Sequence, residues 1–471
     1  MTALCWFRTD LRIEDQPALT AAIEDGQTIA LFIASPTQWH HHGDAPVKVD
    51  FWLRGLHALK SELESLNIPF KWLQVEQWED VPEALLKFCQ QHQIDSVHCN
   101  REHGVNERRR DRSCYRLLNE HGITMTGHHG GTLLVPGSVK TGSDGYYRVF
   151  TPFAKACREK LRTAPYRIAP LPRKQNSNGL PGGDALPETM PGWERPDSSL
   201  QKGWPAGSDA AHARLSVFAE QAMMQYVPDR DYPALPGTST LSPYLASGMI
   251  SAGQCLHAAM MVNQGETDTG NQGVTTWITE LLWREFYQHL IFGFPALSMH
   301  QPMRPETDAV VWREAPADFE AWCQAKTGVP IVDAAMRQLV TTGWMHNRLR
   351  MVVAMYLTKN LLINWRLGEA FFMRHLVDGE LAANNGGWQW SASTGADSAP
   401  YFRVFNPISQ SQKFDPKGAF LRHWLPELAG LSDREIHDPS PVSRQALNYP
   451  LQLVDLKTSR VRAIEAFASL R

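Results

Sequence analysis

Residues 378–390 read DGELAANNGGWQW and gather two carboxylates (Asp378, Glu380), two amides (Asn384, Asn385), two glycines and two indoles (Trp388, Trp390) into one short segment. Gly386 and Gly387 are expected to interrupt regular structure there, leaving the tryptophans on either side of Gln389 at strand-like or loop-like spacing. Three further segments carry residues that could do chemistry. The run GTSTLSPYL at 237–245 offers hydroxyls and free backbone N–H groups, which suit either a helix cap or a diphosphate. In TWITELLWREFY, Trp277, Glu280 and Trp283 recur every third residue and share a helical face. A carboxylate between indoles suits a flat heterocycle with N–H groups, although a merely solvated glutamate fits this segment equally well. In GWMHNRLRM at 343–351, Asn347 and Met351 share a face, while Arg348 and Arg350 could meet phosphate or a buried carboxylate. His346 is either a proton donor or a satisfied structural residue, the commoner use of a lone histidine. His40-His41-His42 and His128-His129 lack the spacing that sets two ligands on one helical face, so exposed loops are expected and no metal site.

These groups need a scaffold, and 471 residues at 43% hydrophobic content supply enough core for two or three domains. Short apolar runs at Ala3 to Phe7, Thr28 to Ala34, Phe70 to Val75, Ser96 to Asn100 and Thr124 to Gly127 alternate with amphipathic stretches such as Phe51 to Leu66 and Val81 to Gln91. That pattern predicts an α/β domain over 1–130, a Rossmann-like doubly wound parallel sheet, without a G-x-G-x-x-G or Walker A sequence. Residues 131–207 form an interdomain connection with some helix, Pro/Gly-rich from 163 onward, and 208–471 read as a larger α-helical domain with long periodic runs at Val274 to Phe292 and Ile331 to Leu362. Seven cysteines without a C-x-x-C pair argue against a disulfide framework or a cysteine metal site. The N-terminal segment carries Arg8, Asp10, Arg12 and Glu14, unlike a signal peptide, so a cytoplasmic location is expected. A net charge of −3 means that any nucleic-acid site is a local patch. Sixteen tryptophans are a heavy load; most are expected to pack in the core.

Taken together, WFRTDLR, VNER, GTSTLS, TELLWREFY, KTGVPIVDAAMRQL, GWMHNRLRM, DGELAANNGGWQW and YFRVFNP, in this order from end to end, resemble the DNA photolyase/cryptochrome family, most closely its bacterial class I cyclobutane-dimer branch. The resemblance implies a light-driven carbon–carbon lyase: reduced FAD in the helical domain absorbs a photon and passes an electron to a cyclobutane pyrimidine dimer flipped out of DNA. It places Tyr226, Thr238, Ser239, Thr240, Leu241 and Ser242 at the FAD diphosphate, with Trp277 and Arg284 nearby. Arg350 and Asp378 would pair beside the flavin ring, Glu380 would approach its edge and Asn384 would face N5. Glu280, Asn347 and Asn384 would be catalytic; Trp283 and Trp390 would clamp the dimer, with Glu280, Asn347 and Met351 against it. Asn347 and Met351 stand where (6-4) enzymes carry histidine, which favours cyclobutane dimers as substrate. Arg230, Arg348 and Arg403 would meet DNA phosphates, and Trp388, Trp365 and Trp312 would relay electrons to the flavin. Asn106 and Glu107 match residues that hold a 5,10-methenyltetrahydrofolate antenna, although a lysine found near Met299 in such relatives is missing. Thr240 stands where some relatives have arginine, which leaves the diphosphate without one direct cationic partner. A monomer is implied. The alternative within the same family is a cryptochrome that signals without repair; the short C-terminal end and the intact dimer pocket favour repair.

Overall fold

The structure is a computed structural model that describes residues 1–176, 179–468 and 470. Strands β1 (Thr2–Phe7), β2 (Gln27–Ala34), β3 (Phe70–Gln74), β4 (Ser96–Asn100) and β5 (Thr124–His128) form one parallel sheet in the order β3-β2-β1-β4-β5. Each predicted strand is present within a residue or two of its expected bounds. Side-chain alternation explains the double winding. Leu4, Trp6, Ile29, Leu31 and Val97 bury one face against the helices at 81–91 and 105–120, while Cys5, Phe7, Ala30 and Phe32 bury the other in a core that runs on into the helical half through Trp277, Leu282 and Phe286. One core therefore joins a face of the sheet to part of the helical half, whose remaining helices bury a second core of their own.

The carboxyl ends of β1 and β4, where strand order reverses and α/β sheets usually bind ligands, are filled by the chain itself. Arg8 bonds the carbonyl of Asn100 and pairs with Asp111 at 2.7 Å, and Asn100 donates to Asp10 at 2.7 Å. Arg12 bridges outward from the same corner, donating to Gly248 O at 3.0 Å and Gly130 O at 2.6 Å. The Pro/Gly-rich connection lies along the sheet's edge: Gln175 exchanges two 2.8 Å bonds with the backbone of Thr28, and Asp184 accepts from Trp72 N at 3.0 Å. An extended, proline-punctuated segment suits the covering of edge strand β3. Positions 177 and 178 of that connection lie outside the described residues.

Beyond residue 128 the described chain is helical apart from turns, irregular segments and an isolated bridge between Lys140 and Tyr146. The run of helical periodicity from Ile331 to Leu362 is two helices, Pro330–Thr342 and Asn347–Met355, followed by a π-helical turn at Tyr356–Asn360. Gly343, at φ 68°, ends the first in the left-handed conformation that glycine tolerates, and His346 caps the second. The expected break at Gly386-Gly387 is corrected: Leu381–Ala392 is a continuous helix through both glycines. A β-carbon on Gly386 would sit 2.2 Å from the Tyr287 ring, so that glycine serves helix–helix approach. His40 and His41 are exposed as expected, but these histidines are not all in loops. His40 and His41 end the helix Pro36–His41, and His128 ends β5 with its Nε2 3.0 Å from Nδ1 of His98. No group of histidine, cysteine or acidic side chains suited to a metal occurs among the described residues. The cysteines are free, and all but Cys323 are buried.

Candidate active site

The helix Gln272–Gly293 organises the site. Asn271 caps it by accepting from Val274 N at 3.1 Å, and Ile278, Leu282 and Phe286 bury one stripe in the shared core. The stripe beside it holds polar groups. Arg284 donates to Glu380 at 2.9 Å and Gln288, one turn on, donates to the same oxygen at 2.7 Å. On the helix Asn347–Met355, Arg350 pairs with Asp378 at 2.7 Å and anchors on Met345 O at 2.8 Å. Asn384 is buried and donates to Glu369 O at 3.0 Å, and Glu369 also accepts from Asn385 and His300 at 2.8 Å each. The hydroxyl run crosses the same region. Leu241 is buried, Thr238, Ser239 and Thr240 are half-buried, and Ser242 accepts from Trp344 Nε1 at 3.3 Å. Tyr226 and Trp277 are buried and both pack on Phe218.

The second cluster lies farther along the same helix face and on its neighbours. Glu280 pairs with Arg230 at 2.7 Å, and Arg348 pairs with Asp231 at 2.7 Å while covering the Phe414 ring. Burial raises the Glu280 carboxyl above its ordinary range, and Arg230 opposes that rise. Trp283 stacks on Phe150 with ring centres 3.7 Å apart. Asn347 is exposed, and Met351 and Trp390 are partly exposed. Arg403 is exposed and lies over Phe405; no described contact joins it to Arg230 or Arg348. His346 is buried, its Nδ1 accepts from Arg348 N at 3.2 Å, and burial lowers it to about 4. It is a neutral helix cap, the structural use rather than proton donation.

Trp388 and Trp365 are buried in one aromatic-rich core, against which the more exposed Trp312 packs. Trp388 lies edge-on to Phe372 at 5.0 Å and to Trp322 at 6.1 Å. In the N-terminal half, Asn106 meets His42 Nε2 at 3.2 Å, and His42 stands edge-on to Trp78. Glu107 is pushed up to about 7, chiefly by burial and further by Glu102. Exposed Met299 ends the short 3-10 turn Pro295–Met299, which lies against the 105–120 helix.

The profile for the FAD-binding domain of DNA photolyase matches residues 277–469, and the DNA photolyase profile matches residues 3–175. The chain belongs to the DNA photolyase family. It is 42% identical to the deoxyribodipyrimidine photo-lyase of Salmonella typhimurium, over 100% of this chain and 99% of that one. It is 41% identical to the Escherichia coli protein of the same name over the same shares. Among solved structures, a bacterial class III photolyase from Agrobacterium tumefaciens matches with a TM-score of 0.88 at 35% identity, over 100% of this chain and 97% of that chain. A Synechocystis cryptochrome matches with a TM-score of 0.87 at 28% identity, over 99% of each. Photolyase membership brings FAD to the helical half, and the side chains present fit it. Asp378 Oδ1 and Arg284 Nε are buried polar atoms without a partner, beside satisfied ion pairs, and the exposed Gly387 would carry a β-carbon with nothing within 4 Å. The sequence did not single out Gln288, Glu369, Asp231 and Trp344, which contact the candidate residues Glu380, Asn384, Arg348 and Ser242. Gln288 alone had a local signal, its position four residues after Arg284 on one face; the others are joined only by the fold.

Proposed function

We propose that the protein is a light-driven lyase that repairs cyclobutane pyrimidine dimers in DNA, with FAD held between Arg284/Glu380 and Arg350/Asp378. The observation that carries this reading is that the packed helices 272–293, 347–355 and 381–392 bear both a half-buried set of paired polar groups and the more exposed Glu280, Trp283, Asn347, Met351 and Trp390. FAD, bound and reduced, supplies the light-driven electron. The chain supplies position, charge and protons. Trp283, backed by Phe150, presents an indole face for the flipped-out dimer of adjacent bases, and Trp390 stands on the 381–392 helix as its counterpart. Glu280 can share a proton with a base carbonyl as negative charge develops there, since burial already favours its neutral form. Arg350, held by Asp378, would present guanidinium N–H groups to the flavin ring, and the bond from Asn384 to Glu369 O fixes the orientation of its amide. Trp388, Trp365 and Trp312 form the electron relay, and Arg230, Arg348 and Arg403 the phosphate contacts.

We place a 5,10-methenyltetrahydrofolate antenna against His42, Asn106 and Glu107, and take the protein to act as a cytoplasmic monomer. No helix is long and apolar enough to cross a membrane among the described residues. Illumination of FAD-loaded, reduced protein with an oligothymidylate containing dimers should restore thymine absorbance. Unchanged absorbance with FAD bound would reject repair in favour of a signalling role, a reading the fold similarity to a cryptochrome leaves standing.

A further inference from the structure

The helix Ser208–Gln221 carries Arg214, half-buried and turned toward the hydroxyl run. Four arginines of the two clusters are ion-paired: Arg230 with Glu280, Arg284 with Glu380, Arg348 with Asp231 and Arg350 with Asp378. Arg214 has no ion pair among the described residues. Its Nη1 donates to Thr240 Oγ1 at 2.5 Å, its Nη2 reaches Gly203 O at 3.5 Å, and its guanidinium lies over Trp204 at 5.3 Å and Tyr244 at 5.5 Å. Aromatic rings and neutral oxygens hold the group in place without cancelling its charge.

The residue it holds is unusual. Thr240 has φ 49°, a left-handed conformation disfavoured for a β-branched side chain, and its hydroxyl donates back to Ser239 O at 2.8 Å. Leu241 follows in the right-handed region at φ −86°. Consecutive residues of opposite hand turn successive N–H groups toward one concavity, and the N–H groups of Ser239, Thr240 and Leu241 donate to no described group. Free N–H groups beside an uncancelled guanidinium, with no carboxylate paired to it, make an anion site.

We propose that Arg214 is the cation that holds the FAD diphosphate at this run, reaching it from a different helix and taking the place that Thr240 leaves without charge. The proposal rests on the FAD reading above. Its alternative is that Arg214 only packs Trp204 against Tyr244, so Arg214→Met, which keeps a long side chain without charge, is the informative variant. Full-length protein loaded with FAD is diluted, free flavin is followed by fluorescence, and thermal unfolding of the FAD-depleted chain reports the fold. Arg214→Met should raise the FAD dissociation constant about 10- to 100-fold, the size expected for losing a charge-assisted bond, with the unfolding midpoint of the depleted chain unchanged. Adding Thr240→Arg should restore retention to within about threefold of the parent, on the same scale, and should do so less well as salt rises. An unchanged dissociation constant in Arg214→Met, or a loss that follows destabilisation of the depleted chain and resists Thr240→Arg, would overturn the proposal. Failure of the parent protein to retain FAD at all would instead overturn the reading on which it rests.

Discussion

Glu280 sits where two demands oppose each other: burial favours its neutral form, and the contact with Arg230 favours the carboxylate. If DNA phosphate draws Arg230 away, the neutral form gains and the side chain becomes a donor. Single-turnover repair should then fall as pH rises through the raised pKa of this carboxyl, and Glu280→Gln, which donates at every pH, should flatten that decline. Superimposable pH profiles for the two proteins would remove Glu280 from proton sharing. Trp388 makes a separate prediction. Buried against Phe372 and Trp322, it should be needed for photoreduction, so Trp388→Phe should lose that reaction by more than about tenfold, more than 1.4 kcal/mol in barrier, and still repair once reduced chemically. Photoreduction at the parent rate would exclude it from the relay. Both residues stood out in the sequence by type, Glu280 between two indoles and Trp388 beside two glycines. What they touch did not, because Arg230 lies fifty residues from Glu280 and no local period encodes such a pair.

Helices account for most of what the sequence pattern conveyed and for its main error. The five strands and the long 272–293 helix follow from periodicity, since a face buried in a shared core must repeat with the element's own pitch. The 381–392 helix was hidden because two glycines weaken helical propensity, and only tertiary contact decides the outcome. The two glycines should therefore behave differently. Gly386→Ala drives a β-carbon into the Tyr287 ring and should destabilise the FAD-free chain by about 1–3 kcal/mol. Gly387→Ala meets open space and should stabilise it by about 0.5–1 kcal/mol. Urea denaturation reads both, and equal midpoints would contradict the packing explanation. The 272–293 helix also holds a buried pair that links it to the connection. Glu285 accepts from Leu133 N at 2.7 Å and Leu134 N at 3.2 Å, and lies 3.8 Å from His289. Burial pushes Glu285 from 4.5 to about 7 and His289 from 6.5 to about 4. The folded chain thus keeps a proton on Glu285 that the unfolded chain releases, a contribution lost as pH rises through about 7. It also declines a proton on His289 that the unfolded chain takes, a contribution lost as pH falls through about 4. Between 4.5 and 6.5 the two offset. In Glu285→Gln only the histidine remains, so stability relative to the parent should rise with pH across that window by about 1.4 kcal/mol per unit. A flat difference in urea-derived stability would mean the pair does not titrate this way.

For the whole molecule, a net charge of −3 is compatible with DNA binding only if basic groups are local and free to act. Composition set that constraint, but it could not show that the expected phosphate-binding arginines differ in their partners. Arg403 is exposed and has no ion pair among the described residues, whereas Arg348 is tied to Asp231 and Arg230 to Glu280. Binding through Arg403 only releases counterions, but binding through Arg348 must also break an existing pair. Arg403→Gln should accordingly reduce the slope of log affinity against log salt by about 0.9 on duplex DNA. Asp231→Asn should act in the opposite direction. It removes a negative charge beside the phosphate path and frees Arg348, at the modest cost of a partly exposed ion pair. Affinity for undamaged and dimer-containing DNA should rise together, by about two- to fivefold at low salt, because the term is electrostatic and carries no lesion specificity. High salt should erase the gain. A gain confined to damaged DNA would place Asp231 at the lesion pocket, and weaker binding would show that the Arg348–Asp231 pair orients the guanidinium for phosphate.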